Sequence, residues 1–507
     1  MGIYANTNGT LTPLAGGGSG SGAEAYSLLE ITFDAAFSGL TYTLYADSVV
    51  QEEYEIYTRT VPASLKDVVR VKQCNMRYVA ECTVDSKQYT NSITTADYFG
   101  EYKMHLYQYH IYGVRWASNP STVMERTDDA AEFTDPVPYV AGSENYGSPF
   151  DNLYPWSEMT RVQYNNSTSL EMVKIPRFWY KLEGYGDGGL SIKIADAPVE
   201  GYMVCPACRK HYTFDDSDFE RSYVLVGRYQ TDYYSGVHSR NGGSWDYLNS
   251  GFSNYESYGD VKTYYDIIHM SRGKNFWSMN FDTWFSIHLL YLVEFANWNV
   301  DTSIGTPPSK VGNGGTDSMP YHTGTMASDR ATAGAWQYRY IENLRNGYLA
   351  TWLPGISYRT IKGAPSIIIY DRLDTVHDDM VNNNYDSPWI RIIPPKSGIS
   401  PSYMGSMSKV VICENSLFAF MAGNAGKYTN WQNTYTCGPV YGIAEFTFTA
   451  VDPYSENTLS VSAGFGFGTV GTQASASSGL PNIDAYSKGY KGNSRILIRP
   501  EEARPND

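Results

Sequence analysis

The chain has 507 residues, a formal net charge of −15 and only 38 Lys+Arg. Affinity for a polyanion rests on clustered lysine and arginine, and no basic run here exceeds two residues, so nucleic acid is excluded as a partner. The longest apolar run, residues 283–298, is too short to cross a bilayer and contains His288 and Glu294, which excludes membrane insertion by a helix.

Residues 1–25 read as a flexible attachment arm. They begin Met-Gly-Ile-Tyr-Ala-Asn, with no basic or apolar signal region, so no secretory signal is expected, and Asn6 breaks the myristoylation pattern. They run into Gly16-Gly-Gly-Ser-Gly-Ser-Gly22, a tether without a core. Residues 26–111 read as short strands: Leu29, Ile31 and Phe33 alternate with polar neighbours, as do Ala80, Cys82 and Val84, then Tyr102, Met104 and Leu106. Turn signals such as Ser38-Gly39 and Asp85-Ser86 separate them. About seven short strands in so short a span predict an immunoglobulin-like β-sandwich, a module more often a spacer than a site.

From Tyr112 onward the chain is aromatic, glycine-rich and loop-rich. Lys174-Ile-Pro-Arg-Phe-Trp-Tyr-Lys181 and Tyr223-Val-Leu-Val-Gly-Arg-Tyr229 contain core strands. The run 282–299 lacks the alternation of a half-buried strand and is too long for one, so it predicts a buried helix, capped by Asp282 and ended by Asn299. Glu294 sits in it among Leu292, Val293, Phe295 and Ala296. A carboxylate there must be paired, to a backbone amide or to an arginine such as Arg339. A second, shorter helix is predicted at about 337–347, where Ile341 and Leu344 share a face. Short strands return at Ser366–Tyr370, Ile390–Ile393 and Ser494–Ile498, and the whole reads as α+β with long loop insertions.

Chemistry-bearing residues are scattered. Cys205-Pro-Ala-Cys208 with His211 is the one tight cysteine cluster among six cysteines, and it reads as reduced structural thiols, since no second pair completes a zinc site. His322 lies near Asp317 in sequence and reads as a loop histidine whose ring nitrogens bridge backbone groups. Asp371, Asp374, Asp378 and Asp379 could pair for glycoside hydrolysis or hold calcium, or simply line a solvated loop. No metal or other cofactor is expected. The segment 420–492 differs in texture: Tyr428, Asn430, Trp431, Asn433, Tyr435, Tyr454, Asn457, Asn482, Asp484, Tyr486 and Tyr490 interleave rings with amides, the chemistry of an adaptable contact surface. An ordinary glycine-rich loop region is the alternative.

An ordered set of segments carries a family resemblance: Arg126-Thr-Asp-Asp-Ala130, Pro149-Phe-Asp-Asn-Leu-Tyr-Pro-Trp156, Lys174–Lys181, Leu290-Tyr-Leu-Val-Glu-Phe-Ala296, Met319-Pro-Tyr-His-Thr-Gly324 and Tyr338-Arg-Tyr-Ile-Glu-Asn343. It resembles phage tail and receptor-binding proteins whose C-terminal domain has the C-type lectin fold, in its formylglycine-generating-enzyme-like branch. The variable proteins of diversity-generating retroelements are similar. Asn346-Gly-Tyr-Leu-Ala-Thr-Trp-Leu-Pro-Gly355 departs from the family pattern, keeping only the tryptophan and glycine, and Cys413 and Cys437 sit in no copper-binding motif. The resemblance implies three parts: arm 1–25, immunoglobulin-like spacer 26–111 and C-type-lectin-like receptor-binding domain 112–507. It also implies a non-enzymatic adhesin on the virion, made in the bacterial cytoplasm and trimeric. Its N-terminal region would meet other tail proteins, and the eleven residues above would meet a bacterial surface protein or glycan. A tail-borne glycan depolymerase and a purely structural virion protein are the other expectations.

Overall fold

The computed structural model describes residues 3–7, 10–14, 26–47, 56–71, 76–96, 100–117, 123–185, 189–209, 221–232, 237–242, 272, 275–297, 300–306, 308, 312–344 and 495–499, together with the backbone of the strands between 345 and 494. Strands predominate and helices are few. The chain divides into two compact units, Met1–His110 with Ala195–Tyr202, and Ile111–Ile194 with Met203–Asp507.

In the first unit, β1 (Ile3–Thr7) and β2 (Thr10–Leu14) form an antiparallel hairpin with Thr7 opposite Thr10. The sequence reading of a flexible attachment arm made no strand assignment there. The signal was Asn8-Gly9, the dipeptide best suited to a two-residue hairpin turn. The Gly16–Gly22 tether lies outside the described residues. Seven strands follow: β3 (Ser27–Phe33), β4 (Thr41–Asp47), β5 (Ile56–Thr60), β6 (Lys66–Val71), β7 (Arg77–Val84), β8 (Lys87–Thr94) and β9 (Glu101–Leu106). One sheet has the order β6-β3-β9, with β3 parallel to β9, and the other is β5-β4-β7-β8, antiparallel throughout. The period-two pattern holds on β3, where Leu29, Ile31 and Phe33 are buried between partly exposed neighbours. Phe33 and Tyr42 bring the buried faces of the two sheets together, ring centroids 4.9 Å apart. The β7–β8 turn is Asp85-Ser86, both left-handed (φ 47° and 68°), as a tight hairpin of two residues requires.

In the second unit the strands are β10 (Ile111–Trp116), β11 (Glu125–Asp128), β12 (Tyr139–Val140), β13 (Arg161–Gln163), β14 (Glu171–Pro176), β15 (Trp179–Tyr185), β16 (Gly189–Ala195), β17 (Met203–Val204), β18 (Tyr223–Gly227) and β19 (Phe276–Ser278). Helices α1 (Phe281–Phe295) and α2 (Val300–Ser303) come next, then β20 (Gly324–Thr325), β21 (Trp336–Tyr338) and β22 (Ile341–Glu342). Every residue of α1 from Asp282 to Phe295 is buried, which is why its sequence shows no polar stripe. Its cap is Asn280, not Asp282: the Asn280 Oδ1 accepts from the Thr283 amide at 3.1 Å and the Thr283 hydroxyl at 2.7 Å. The helix ends four residues before Asn299, at the left-handed Ala296. Leu289, Leu290 and Leu292 are sealed in the core, each worth about 2 kcal/mol of transfer free energy.

The helix expected at 337–347 is instead the β21–β22 hairpin, with Tyr338 opposite Ile341 and a turn made by left-handed Arg339 and Tyr340 (φ 42° and 70°). A period of three read from two apolar residues cannot outweigh the paired strands and the anchoring of Arg339 described below.

Beyond Leu344 the chain makes a long excursion through β23 (Ala350–Ile361), β24 (Ala364–Tyr370), β25 (Ile390–Ile393), β26 (Met407–Ile412), β27 (Ala419–Gly423), β28 (Thr447–Phe448), β29 (Leu459–Ser462) and β30 (Gly492–Asn493). One sheet has the order β25-β24-β23-β29-β28, with β30 also on β23, and β26 pairs with β27. The excursion then returns as β31 (Ile496–Ile498), which is fully buried and inserts between β18 and β19 in the sheet β13-β14-β18-β31-β19.

Candidate functional site

The buried acid of α1 is the centre of the best-defined polar cluster. Glu294 is fully enclosed and faces Arg339 from the β21–β22 turn. The guanidinium forks onto it, Nε to Oε2 at 2.8 Å and Nη2 to Oε1 at 2.6 Å, and the Tyr338 hydroxyl donates to Oε2 at 2.9 Å. The arginine expected as its partner is therefore found there. Arg339 also donates to the Trp156 carbonyl (3.2 Å) and to Asp151 (3.2 Å). Carbonyls in the last two turns of the helix receive donors as well. Arg126 donates to those of Val293 (2.8 Å) and Glu294 (2.6 Å), and the Trp156 indole to that of Leu290 (3.1 Å). The left-handed backbone at Arg339 costs roughly 1–2 kcal/mol, which these bonds offset.

His322 lies on the outer side of this cluster. Its Nε2 meets Asp151 Oδ1 at 2.9 Å and its Nδ1 meets the Thr323 hydroxyl at 2.8 Å, so it bridges side chains, not the backbone groups expected. The Asp151 carboxylate can only accept, so Nε2–H is the donor to it; in a neutral ring Nδ1 then accepts the Thr323 hydroxyl, whose oxygen also accepts the Arg339 amide at 3.0 Å. Burial lowers the His322 pKa, and the adjacent carboxylate only partly opposes this, in keeping with a neutral ring. Burial alone would raise Asp151, but His322, Tyr321 and Arg339 outweigh it and hold the carboxyl at about 2. Threonine, histidine and carboxylate stand in the order of a nucleophilic triad, yet Thr323 is sealed from solvent and its oxygen is taken by a backbone amide. As placed, these atoms position a loop. Asp317, the sequence neighbour of His322, pairs elsewhere, with Arg228 Nη2 at 2.9 Å and with the Tyr229 hydroxyl.

A second buried cluster holds the base of the excursion. Glu342, just before its start, accepts the amides of Gly314 (2.9 Å) and Thr316 (2.8 Å) and the Thr316 hydroxyl (2.6 Å). Burial raises its pKa against these donors. Arg495, just before the returning strand, is buried and donates to the carbonyls of Gly227 (3.1 Å), Arg228 (2.9 Å) and Glu342. The guanidinium, pushed down to about 9 by burial, thus ties the two ends of the excursion to one another and to β18. Sequence reading passed over Arg495; its place directly before an apolar strand was the available signal.

Cys205 and Cys208 form no disulfide and are both buried, on a short 3-10 turn against α1, where the Ala207 amide donates to Ser286 Oγ at 3.0 Å. Burial pushes Cys208 well up, so the thiolate is disfavoured. Among the described residues no group of three His, Cys, Asp or Glu side chains is arranged to hold a metal ion. The eleven candidate contact residues, Tyr428, Asn430, Trp431, Asn433, Tyr435, Tyr454, Asn457, Asn482, Asp484, Tyr486 and Tyr490, lie outside the described residues, as do Asp371, Asp374, Asp378, Asp379, His211, Cys74, Cys413 and Cys437. Comparison with protein-family models, with curated proteins and with solved structures finds no match in any of the three.

Proposed function

We propose that this chain is a receptor-binding protein of a bacteriophage tail, attaching the virion to a bacterial surface protein or glycan through the aromatic and amide residues of 420–492. In this reading the first unit is an immunoglobulin-like spacer and the second a C-type-lectin-like head, and the protein acts as a trimer without covalent chemistry. The observation that supports it is the closed excursion. Residues 345–494 begin just after one buried hairpin and end just before a buried strand, and Arg495 at that end donates to the carbonyl of Glu342 at the start. A long segment with clamped ends can vary in sequence without unfolding its base, and rigid scaffolds carrying variable segments are where recognition concentrates. Three or more copies would lift weak single-site binding by avidity.

Cell adsorption tests the proposal. Labelled full-length protein is incubated with a panel of gut bacteria beside a variant carrying Tyr428→Ala, Trp431→Ala and Tyr435→Ala. Saturable binding to some strains, lost in the variant, supports it. Absence of binding to every strain, or undiminished binding by the variant, overturns it. Release of reducing ends from host polysaccharide, abolished by Asp378→Asn or Asp379→Asn, would put a glycan depolymerase in its place.

A further inference from the structure

We propose that the second unit carries a separate stacking site for a neutral saccharide, made by Tyr139, Tyr146, Tyr321, His322 and Tyr340 along one end of the sheet β12-β20-β21-β22. The topology assembles it. Tyr139 opens β12, which runs parallel to β20, and Tyr321-His322 lie just before β20, so both enter from the same end. Strand β21 runs antiparallel to β20, so its turn to β22, bearing Tyr340, falls at that end too. Tyr146 is brought there by the loop that closes where Val137 and Gly147 exchange backbone hydrogen bonds.

The rings form one continuous line. Tyr139 and Tyr146 are 5.7 Å apart between centroids, Tyr146 and Tyr321 5.0 Å, Tyr321 and His322 3.9 Å, and His322 and Tyr340 5.6 Å. Tyr146 is 38% exposed and the other four are partly exposed, so the line borders solvent. Three of the five are held by hydrogen bonds. The Tyr321 hydroxyl donates to Asp151 (2.8 Å to Oδ2), both His322 nitrogens are engaged, and the Tyr139 hydroxyl accepts the Gly142 amide at 3.2 Å. A ligand meeting Tyr139, Tyr321 and His322 has little side-chain order left to impose, which is one of the costs of binding.

Charge bookkeeping selects the ligand class. The Asp151 carboxylate receives Tyr321, His322, Arg339 and the Ser148 amide, which fills its acceptor positions. Arg339 in turn is spent on Glu294. No uncompensated ion in this cluster is left to select a charged ligand. What remains is a row of partly exposed rings, tilted at 32° and 38° in its middle and edge-to-face at 75° and 65° at its two ends, so that it curves instead of lying flat. A pyranose ring offers such a row an apolar C–H face and a rim of hydroxyls.

This site shares no residue with 420–492 and does not depend on the adhesin proposal. The test is saturation-transfer NMR on the full chain with maltohexaose, cellohexaose and the N-acetylglucosamine tetramer, each at about 10 mM, enough to fill a site of ~1 mM Kd. Transfer to ring C–H protons from at least one sugar is expected, with binding weakened roughly fivefold by Tyr146→Ala or Tyr340→Ala and retained by Tyr146→Phe. Tyr146 is exposed and Tyr340 packs on the margin of the core, so thermal unfolding is measured on each variant, and Tyr146→Ala, with unchanged unfolding, shows that folding is not what was lost. Three results overturn the proposal: no transfer from any of the three sugars, equal binding by the Tyr146→Ala/Tyr340→Ala double variant, or binding abolished by Trp431→Ala but indifferent to Tyr146.

Discussion

Replacing Arg339 with methionine keeps most of the side-chain volume and removes the charge. Glu294, fully enclosed, is then left with the Tyr338 hydroxyl as its remaining side-chain donor, and the Trp156 carbonyl and Asp151 each lose a donor. Stranding one member of a buried ion pair costs about 3–5 kcal/mol. With a urea m-value of about 3 kcal/mol/M for a unit of this size, the midpoint falls by roughly 1–1.7 M. Tryptophan fluorescence reads the transition, since Trp156, Trp284 and Trp336 are all sealed in this core. A Glu294→Leu/Arg339→Met double variant strands neither charge and loses less than Arg339→Met alone. A midpoint shift below about 0.3 M for Arg339→Met, or strict additivity of the two single changes, would refute the assignment of this pair as the pin between helix and hairpin.

His288, enclosed and stacked on Trp284 at 5.0 Å, is depressed by burial from 6.5 to about 3. Its folded pKa lies below the unfolded one, so its contribution is full above about pH 6.5 and is lost as pH falls toward 3; His288→Phe should flatten the stability–pH slope in that window, read by urea midpoints at about pH 7 and about pH 4. Gly324 sits at φ +154° with Tyr139 O 2.2 Å from where a Cβ would stand, so Gly324→Ala should separate β12 from β20 and cost about 1–3 kcal/mol in the same assay. Arg495→Met strips donors from three buried carbonyls and should destabilise the second unit by about 3 kcal/mol or more. Cys205 and Cys208 should resist alkylation in the native protein and react on unfolding, as followed by mass spectrometry of their peptide.

The buried helix was legible because burial on every side leaves an apolar run with no alternation, and its acid was legible because a carboxylate there demands a partner. Its cap was misread because Asp282 and Asn280 are both competent caps two residues apart, and only backbone geometry decides between them. The hairpin Trp336–Glu342 was missed because its left-handed turn uses arginine and tyrosine where glycine or asparagine would have announced it. The first hairpin did announce itself, in Asn8-Gly9. Asp151 was beyond reach for another reason. It is 188 positions from Arg339 and 171 from His322, and no local pattern encodes a contact over that separation.

The position of the Ile496–Ile498 strand has a consequence for how the molecule is made. A chain emerging from the ribosome presents Tyr223–Gly227 and Phe276–Ser278 long before the strand that joins them exists. Until residue 498 is delivered, two open sheet edges wait in solution, the arrangement most prone to pairing with other chains. The central sheet of the second unit therefore completes only after synthesis has passed through all of 345–494. A premature stop anywhere in that stretch should yield an aggregating product, not a smaller folded second unit.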